Sequence, residues 1–377
     1  MRIGIDCRFA VEPQPRGTGR YIQHLVNAIV ALAPEHQYIF YVHRGDDVAV
    51  LPQTRRAKIV CLPLPLISYP FWEQCLLPMR AARDRLDVLH CAGTTGPVLL
   101  SQRIRYVATI HDVSFLLPES IMPRPESAYQ RLGWSYRRWV VPRVAQRADC
   151  IIAVSHYTRN EIVEFTGIAV SKTWVIYHGS NIATLPVGRG DEFGWSTPYV
   201  LCMSGEAPHK NVERILRVWA SFVAAGQNRH TTLVLVGVSK KSQYWQQVEA
   251  NGCQSYTHFI DFVGDQPSLA SLYRKAEFVI YASLNESFGL PALEAMACGA
   301  PLITSNVAAI PEIVGDAALL IDPYSDTSLR AAVCEFLQNP DLRKELAARG
   351  LLRAASFSWE KAVRETLSAY INAVEGL

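Results

Sequence analysis

The amino-acid sequence predicts an α/β protein made of two doubly wound domains. Three observations predict it. The chain has 377 residues, too many for one ordinary core. Short apolar, β-branched runs alternate with helical stretches along both halves, the pattern of parallel sheets covered on both faces. One stretch, Asn181–Pro198, breaks that rhythm with three Gly, two Pro and few aliphatic residues, as a linker would.

In the first half the expected strands are Arg2–Asp6, Tyr38–Val42, Lys58–Leu62, Val88–His90, Tyr106–Ile110, Cys150–Val154 and Thr173–Tyr177. A Pro- and Gly-rich loop follows the first, then an amphipathic helix from about Thr18 to Leu32. In the second half they are Tyr199–Met203, Thr232–Gly237, Phe259–Val263, Phe278–Tyr281 and Pro301–Thr304, and a last helix covers Trp359–Val374. The domains are thus 1–180 and 199–356, joined by a linker at 181–198 and followed by a C-terminal helix within 357–377. The halves share architecture without a close repeat. Two such domains facing each other across a cleft would hold a ligand at their strand ends.

Charge is uneven. Up to His178 there are 21 Lys and Arg against 14 Asp and Glu; after it, 16 against 20. A basic first half calls for an anionic partner. No basic helix or aromatic RNA-binding motif supports nucleic acid; an anionic lipid surface or a phosphate-bearing acceptor fits better. Between Ile121 and Ala148, six Arg and one Glu alternate with Tyr129, Trp134, Tyr136 and Trp139, and Tyr69–Arg85 has the same character around Phe71 and Trp72. Such segments suit a headgroup zone, or equally a solvated helix face over buried aromatics. The nine cysteines are scattered with no CxxC pair, so a reducing, cytoplasmic setting is expected. No apolar leader opens the chain and no run is long enough to span a membrane. A peripheral position at the inner face of the cytoplasmic membrane remains open.

The chemistry concentrates in residues 278–304, FVIYASLNESFGLPALEAMACGAPLIT. A buried strand runs into a loop holding Asn285, Glu286 and Gly289. Pro291 suits the first position of a helix that carries Glu294 in its first turn and stops at Gly299. The helix start favours a phosphate, and carboxylates accept paired hydrogen bonds from vicinal hydroxyls. One acid for a hexose and one for a ribose, with a diphosphate between, would suit a nucleotide sugar. On spacing alone, a solvated loop Glu and a first-turn Glu is the simpler alternative.

This stretch resembles the signature of retaining glycosyltransferases of the GT-B fold, glycosyltransferase family 4: a Glu, seven residues and a second Glu, within EGFGLPxLEAMACGxP. The match runs from Glu286 to Pro301, and PEIVGDAALLIDP from Pro311 to Pro323 continues it. Ser287 departs from the usual Gly, at a position where an unusual backbone angle is often needed. The resemblance implies that Glu286 binds donor-sugar hydroxyls, that N–H groups near Phe288, Gly289 and Leu290 meet the sugar or distal phosphate, and that Glu294 binds the ribose. It implies no metal and no cofactor besides the donor itself. The last helix would cross back to the first domain.

Further segments resemble the same family. Ser204–Asn211, SGEAPHKN, is similar to its PRKN or PRKG turn, which places the phosphate-binding lysine at Lys210 with His209 where an Arg is usual. Arg214, one turn later, is a weaker substitute. Arg16–Tyr21 looks like its glycine-rich loop, so Gly17 and Gly19 would border donor phosphates or acceptor. His111-Asp112 resembles the pair whose His lines the pocket beside the sugar. The turn at Val154–Arg159 and Tyr177-His178-Gly179 also match. Val263 would touch the nucleotide base.

The resemblance implies transfer of a hexose with its anomeric configuration kept. Lys210 and helix N–H groups would stabilise the leaving diphosphate, with Glu286, His111 and Lys210 at the reacting centre. The version of the signature here is similar to bacterial mannosyltransferases of O-antigen and exopolysaccharide synthesis. GDP-mannose is therefore the first expectation for the donor and UDP-glucose or another UDP-sugar the second, with a polyprenyl-diphosphate-linked saccharide as acceptor. The alternatives are a sugar-nucleotide-binding protein that has lost catalysis, against which the intact Glu286, Glu294, Lys210 and His111 weigh, and an epimerase or phosphorylase, which no motif supports.

Overall fold

The computed structural model describes residues 1–377 except 14, 16, 44–47, 64–68, 118–126, 187–197, 228–230 and 377. The chain forms two compact units, one of Met1–Gly179 with Trp359–Leu377, the other of Ser180–Ser358.

The first unit holds β1 (Arg2–Asp6), β2 (Gln37–Val42), β3 (Ala57–Cys61), β4 (Val88–Cys91), β5 (Arg105–Ile110), β6 (Cys150–Ala153) and β7 (Thr173–Val175). They pair in parallel in the order β3-β2-β1-β4-β5-β6-β7. Its helices are α1 (Gly17–Leu32), α2 (Tyr69–Phe71), α3 (Leu77–Arg83), α4 (Ala128–Arg147) and α5 (His156–Thr166), with a π-helical turn at Trp72–Leu76 between α2 and α3. Strand alternation divides the core into two layers. Tyr38 and Phe40 of β2 join Ile22, Leu25 and Ile29 of α1, while Ile39 and Tyr41 join Leu77 and Ala81 of α3.

The second unit holds β8 (Tyr199–Met203), β9 (Thr232–Val236), β10 (Thr257–Ile260), β11 (Phe278–Tyr281), β12 (Leu302–Ser305) and β13 (Leu319–Ile321), all parallel, in the order β10-β9-β8-β11-β12-β13. Its helices are α6 (Val212–Ala224), α7 (Gln243–Ala250), α8 (Gln266–Lys275), α9 (Leu290–Ala297), α10 (Ile310–Val314), α11 (Asp326–Gln338) and α12 (Pro340–Ala354). The last helix, α13 (Trp359–Glu375), packs against α1 in the first unit. Strand order reverses between β1 and β4 and between β8 and β11. At such a switch the following loops diverge and leave room for a ligand beyond the strand ends.

The structure departs from the sequence expectation in places. The strand placed at Phe259–Val263 is Thr257–Ile260. The apolar run outlasts the pairing with β9, and Phe262 turns out to solvent at 47% exposure. Strand β13 was not expected, because three residues cannot display a period. Of the linker stretch 181–198, residues 187–197 lie outside those described. Ile182–Thr184 forms a single 3-10 turn, held by Arg274 of α8, which donates to the carbonyls of Ile182, Ala183 and Leu185.

The aromatic, basic segments divide between core and surface. Trp72 and Trp134 are buried, and Tyr136 donates to buried Glu73. Phe71, Tyr129 and Trp139 are exposed, and 121–126 lie outside the described residues. No described helix is long and apolar enough to cross a membrane.

Candidate functional site

The loops after β8 and β11 meet at the switch point of the second unit. After β8 the chain makes a 3-10 turn at Pro208–Lys210, and Asn211 takes a left-handed conformation, φ +60°, to start α6. Asn tolerates that angle better than most residues. Its buried side chain donates to the carbonyls of Ala282 after β11 (3.0 Å) and Pro323 after β13 (2.8 Å). The Leu284 N–H donates to the His209 carbonyl at 2.7 Å. The two loops are thereby laced together, and the side chain of Lys210 reaches across. Its Nζ lies 2.5 Å from Oε1 of Glu286 and 5.7 Å from the centre of the Tyr281 ring. The two charged side chains are 23% and 14% exposed, so each offsets much of the other's desolvation.

Arg214 takes no part in this pair. Its guanidinium is held by Asp326 (2.7 Å), the side chain of Asn211 (2.9 Å) and the Pro323 carbonyl (2.6 Å), and so braces the turn at 323–326. Asn211 is a residue that sequence reasoning missed. Its signal is the alternation of Asn and Gly at the end of the PRKN or PRKG turn, since those two residues best accept a positive φ.

The loop from β11 to α9 is shaped by Gly289 rather than by residue 287. Gly289 has φ +92°, whereas Ser287 has no positive φ, so Ser causes no backbone strain there. A Cβ on Gly289 would lie 2.4 Å from Cδ1 of Ile310. Gly289 caps α9, which begins at Leu290 with Pro291 second. Glu294 is therefore in the second turn, not the first, and its Oε2 accepts from the hydroxyl of buried Tyr273 at 2.9 Å. Burial raises Tyr281 and Tyr273 well above the ordinary tyrosine value. The carboxylates of Glu286 and Glu294 act on Tyr281 in the same sense, and Glu294 on Tyr273. Both phenols therefore stay protonated beside the acids. Phe288 packs edge-on against Phe357, and the Ala309 N–H holds the Glu286 carbonyl at 3.1 Å. Val263 lies after β10, two strands from the switch.

In the first unit, Gly17 and Gly19 lie within the first turn of α1 and not in a loop before it. Arg16 is outside the described residues. A Cβ on Gly19 would lie 2.4 Å from the Phe9 carbonyl, so close packing requires that glycine. The first-turn N–H groups of α1 still present partial positive charge.

His111 follows β5. Its Nε2 lies 2.9 Å from the Ala92 carbonyl, which can only accept, so Nε2 carries the proton. Tyr21 stands edge-on to both His111 and His178 at 4.8 Å, and Trp359 of α13 packs on His178 and His24. Burial lowers His111 to about 4 and His178 well below its ordinary value. At neutral pH the His111 ring is uncharged, with its Nδ1 lone pair available as an acceptor.

Two family models match the chain. One, "Glycosyl transferases group 1", covers residues 192–353; the other, "Glycosyltransferase Family 4", covers 15–184. The O-antigen chain mannosyltransferase B of Escherichia coli is 29% identical over 96% of this chain and 98% of its own. Among solved structures, sucrose-phosphate synthase from Thermosynechococcus elongatus superposes with a TM-score of 0.76 at 18% identity over 100% of both chains. Anabaena HepE in complex with UDP-glucose gives 0.72 at 19% over 98% of this chain and 100% of its own. These structures share the GT-B fold. With both halves matched by glycosyltransferase models and nearly the whole chain aligned to a relative, the protein belongs to the glycosyltransferases of family 4.

Proposed function

We propose that the protein is a retaining mannosyltransferase that uses GDP-mannose and extends a polyprenyl-diphosphate-linked saccharide in O-antigen or related polysaccharide synthesis. The observation that carries the reading is the Lys210–Glu286 pair at the switch point of the second unit, beside the amino end of α9. A cation, a carboxylate and the amino end of a helix at one strand end match a diphosphate joined to a polyhydroxylated ring. The aligned E. coli mannosyltransferase supports mannose as the sugar and an O-antigen chain as the product.

In this reading the diphosphate takes Lys210 and the N–H groups near Phe288–Leu290, and the hexose hydroxyls take Glu286. Glu294, steadied by Tyr273, binds the ribose. His111 Nδ1 accepts from a sugar hydroxyl, His209 and the first turn of α1 at Gly17 and Gly19 flank the phosphates, and Val263 meets the base. The bond from the anomeric carbon to the diphosphate breaks. The acceptor oxygen bonds to that carbon on the same face, and its proton passes to the leaving phosphate. Lys210 and the amides meet the developing negative charge, so no metal ion takes part.

The exposed part of α4 suits docking to an anionic membrane. Tyr129 and Leu132 are 85% and 69% exposed, and Arg131, Arg137 and Arg143 of the same helix are exposed as well. Full-length protein offered a panel of nucleotide sugars, with liposomes of anionic lipid present or absent, tests the whole. GDP-mannose should be bound and turned over, and protein should float with the vesicles at low salt. Preference for a UDP-sugar moves the donor. Binding without turnover on any acceptor favours a sugar-nucleotide-binding role, and activity unchanged in Glu286→Ala and Lys210→Ala overturns the site.

A further inference from the structure

We propose that Thr94, held in a left-handed backbone conformation between β4 and β5, is a positioning residue that fixes the His111 backbone and, by holding the loop that carries the Ala92 carbonyl, the place and tautomer of the His111 ring. Its φ is +71°. A β-branched side chain disfavours that region, so the conformation persists only where its surroundings impose it.

The surroundings do so from both sides. Before it, Gly93 lies against Phe9, whose ring carbon would be 2.5 Å from a Cβ there. After it, the Thr95 hydroxyl donates to Glu73 Oε2 at 2.6 Å and lies 2.7 Å from the Tyr69 hydroxyl. Glu73 is fully buried and also holds Arg8, whose guanidinium is clamped by Asp6. Thr94 is thus caught between two fixed neighbours.

What the strained residue does points at His111. The Thr94 N–H donates to the Thr109 carbonyl at 3.0 Å, and the Thr94 hydroxyl accepts the His111 N–H at 3.1 Å. Two residues earlier in the same loop, the Ala92 carbonyl takes the ring Nε2–H of His111. Backbone and ring of His111 are therefore both set by Ala92–Thr95. Thr109 is fixed in turn by His90 and Tyr21 through its hydroxyl. Strain kept where it orients one side chain is a mark of function rather than of packing. Of the three other described non-Gly residues with positive φ, two lie at the proposed donor site: Asn211 carries the Lys210 turn, and Ala308 precedes the Ala309 N–H that holds the Glu286 carbonyl; the third, Arg85, follows α3.

The inference rests on the reading of His111 as a group that faces the donor sugar. Its test compares Thr94→Gly and Thr94→Ser with wild type in the full chain, by GDP release from GDP-mannose, melting temperature and ¹⁵N chemical shifts of the His111 ring. Gly accepts the backbone angle but lacks the hydroxyl. Thr94→Gly should keep or raise the melting temperature while kcat falls at least tenfold with the donor KM changed far less. Its His111 nitrogen shifts should leave the pure Nε2–H pattern. Thr94→Ser, which restores the hydroxyl, should recover most of the rate and the wild-type shifts. Wild-type shifts and turnover in Thr94→Gly overturn the proposal, as does activity that merely follows melting temperature across both variants. If wild type turns over no nucleotide sugar, the functional reading fails, and the ring shifts still decide whether Thr94 sets His111.

Discussion

Nζ of Lys210 and Oε1 of Glu286 are 2.5 Å apart although 76 residues separate them in the chain. The cation and the carboxylate satisfy each other. A bound nucleotide sugar would offer each a new partner, phosphate for the lysine and hydroxyls for the acid. The pair keeps both side chains aimed at one point, which reduces the ordering that binding must impose.

Removing one partner leaves the other charge partly buried and unpaired. Lys210→Ala should lower kcat about 10²-fold or more, as loss of one donor to a developing anion does. Glu286→Gln should cost a similar factor. Because the two act on the same bound donor, the double variant should lose far less than the product of the single losses. Steady-state GDP release on the three variants checks this; strictly multiplicative losses would show that the residues act independently.

Gly289→Ala places a methyl 2.4 Å from Ile310 Cδ1 at φ +92°. The expected loss of stability is about 1–3 kcal/mol, with a raised donor KM as the loop and α9 shift. Adding Ile310→Val removes the clashing atom but not the backbone strain, so it should restore part of the loss. Thermal melts and donor titrations of the single and double variants measure both effects. A Gly289→Ala protein that melts and binds like wild type contradicts the packing described.

Glu161 on α5 gives a pH signature. Burial raises its pKa to about 7, the Tyr157 hydroxyl opposes the shift, and Asp112 and Glu164 add to it. Between the ordinary carboxylate value and about pH 7, the folded chain binds more protons at this site than the unfolded chain. Its contribution to stability therefore falls as pH rises through that window and stays low above it. Glu161→Gln removes the ionisation, worth up to about 3 kcal/mol above pH 7. The variant should melt higher than wild type at pH 8 and much the same at pH 4; parallel melting curves across that range would rule the ionisation out.

Local periodicity reached most strands because they are short apolar runs buried on both faces, as at Val88–Cys91 and Phe278–Tyr281. It failed at Phe259–Val263 and Leu319–Ile321, where strand limits are set by where a neighbour stops pairing. The site segments were legible as motifs, from His111 and Lys210 to Glu286 and Glu294. Their partners were not. Tyr273 holding Glu294, Tyr281 under the influence of both acids, Asn211 next to Lys210 and Thr94 bonded to the His111 backbone carry no pattern along the chain.

The sequence by itself determined the α/β alternation, the family signature and which residue types stand at the strand ends, because these depend on neighbours within a few residues. Only the tertiary structure decided that Gly289, not residue 287, takes the left-handed angle, and that Glu294 lies one turn into its helix. It alone joined Lys210 to Glu286 and strained Thr94. Those outcomes depend on which loops a parallel sheet brings side by side, and crossover connections set that adjacency at long range.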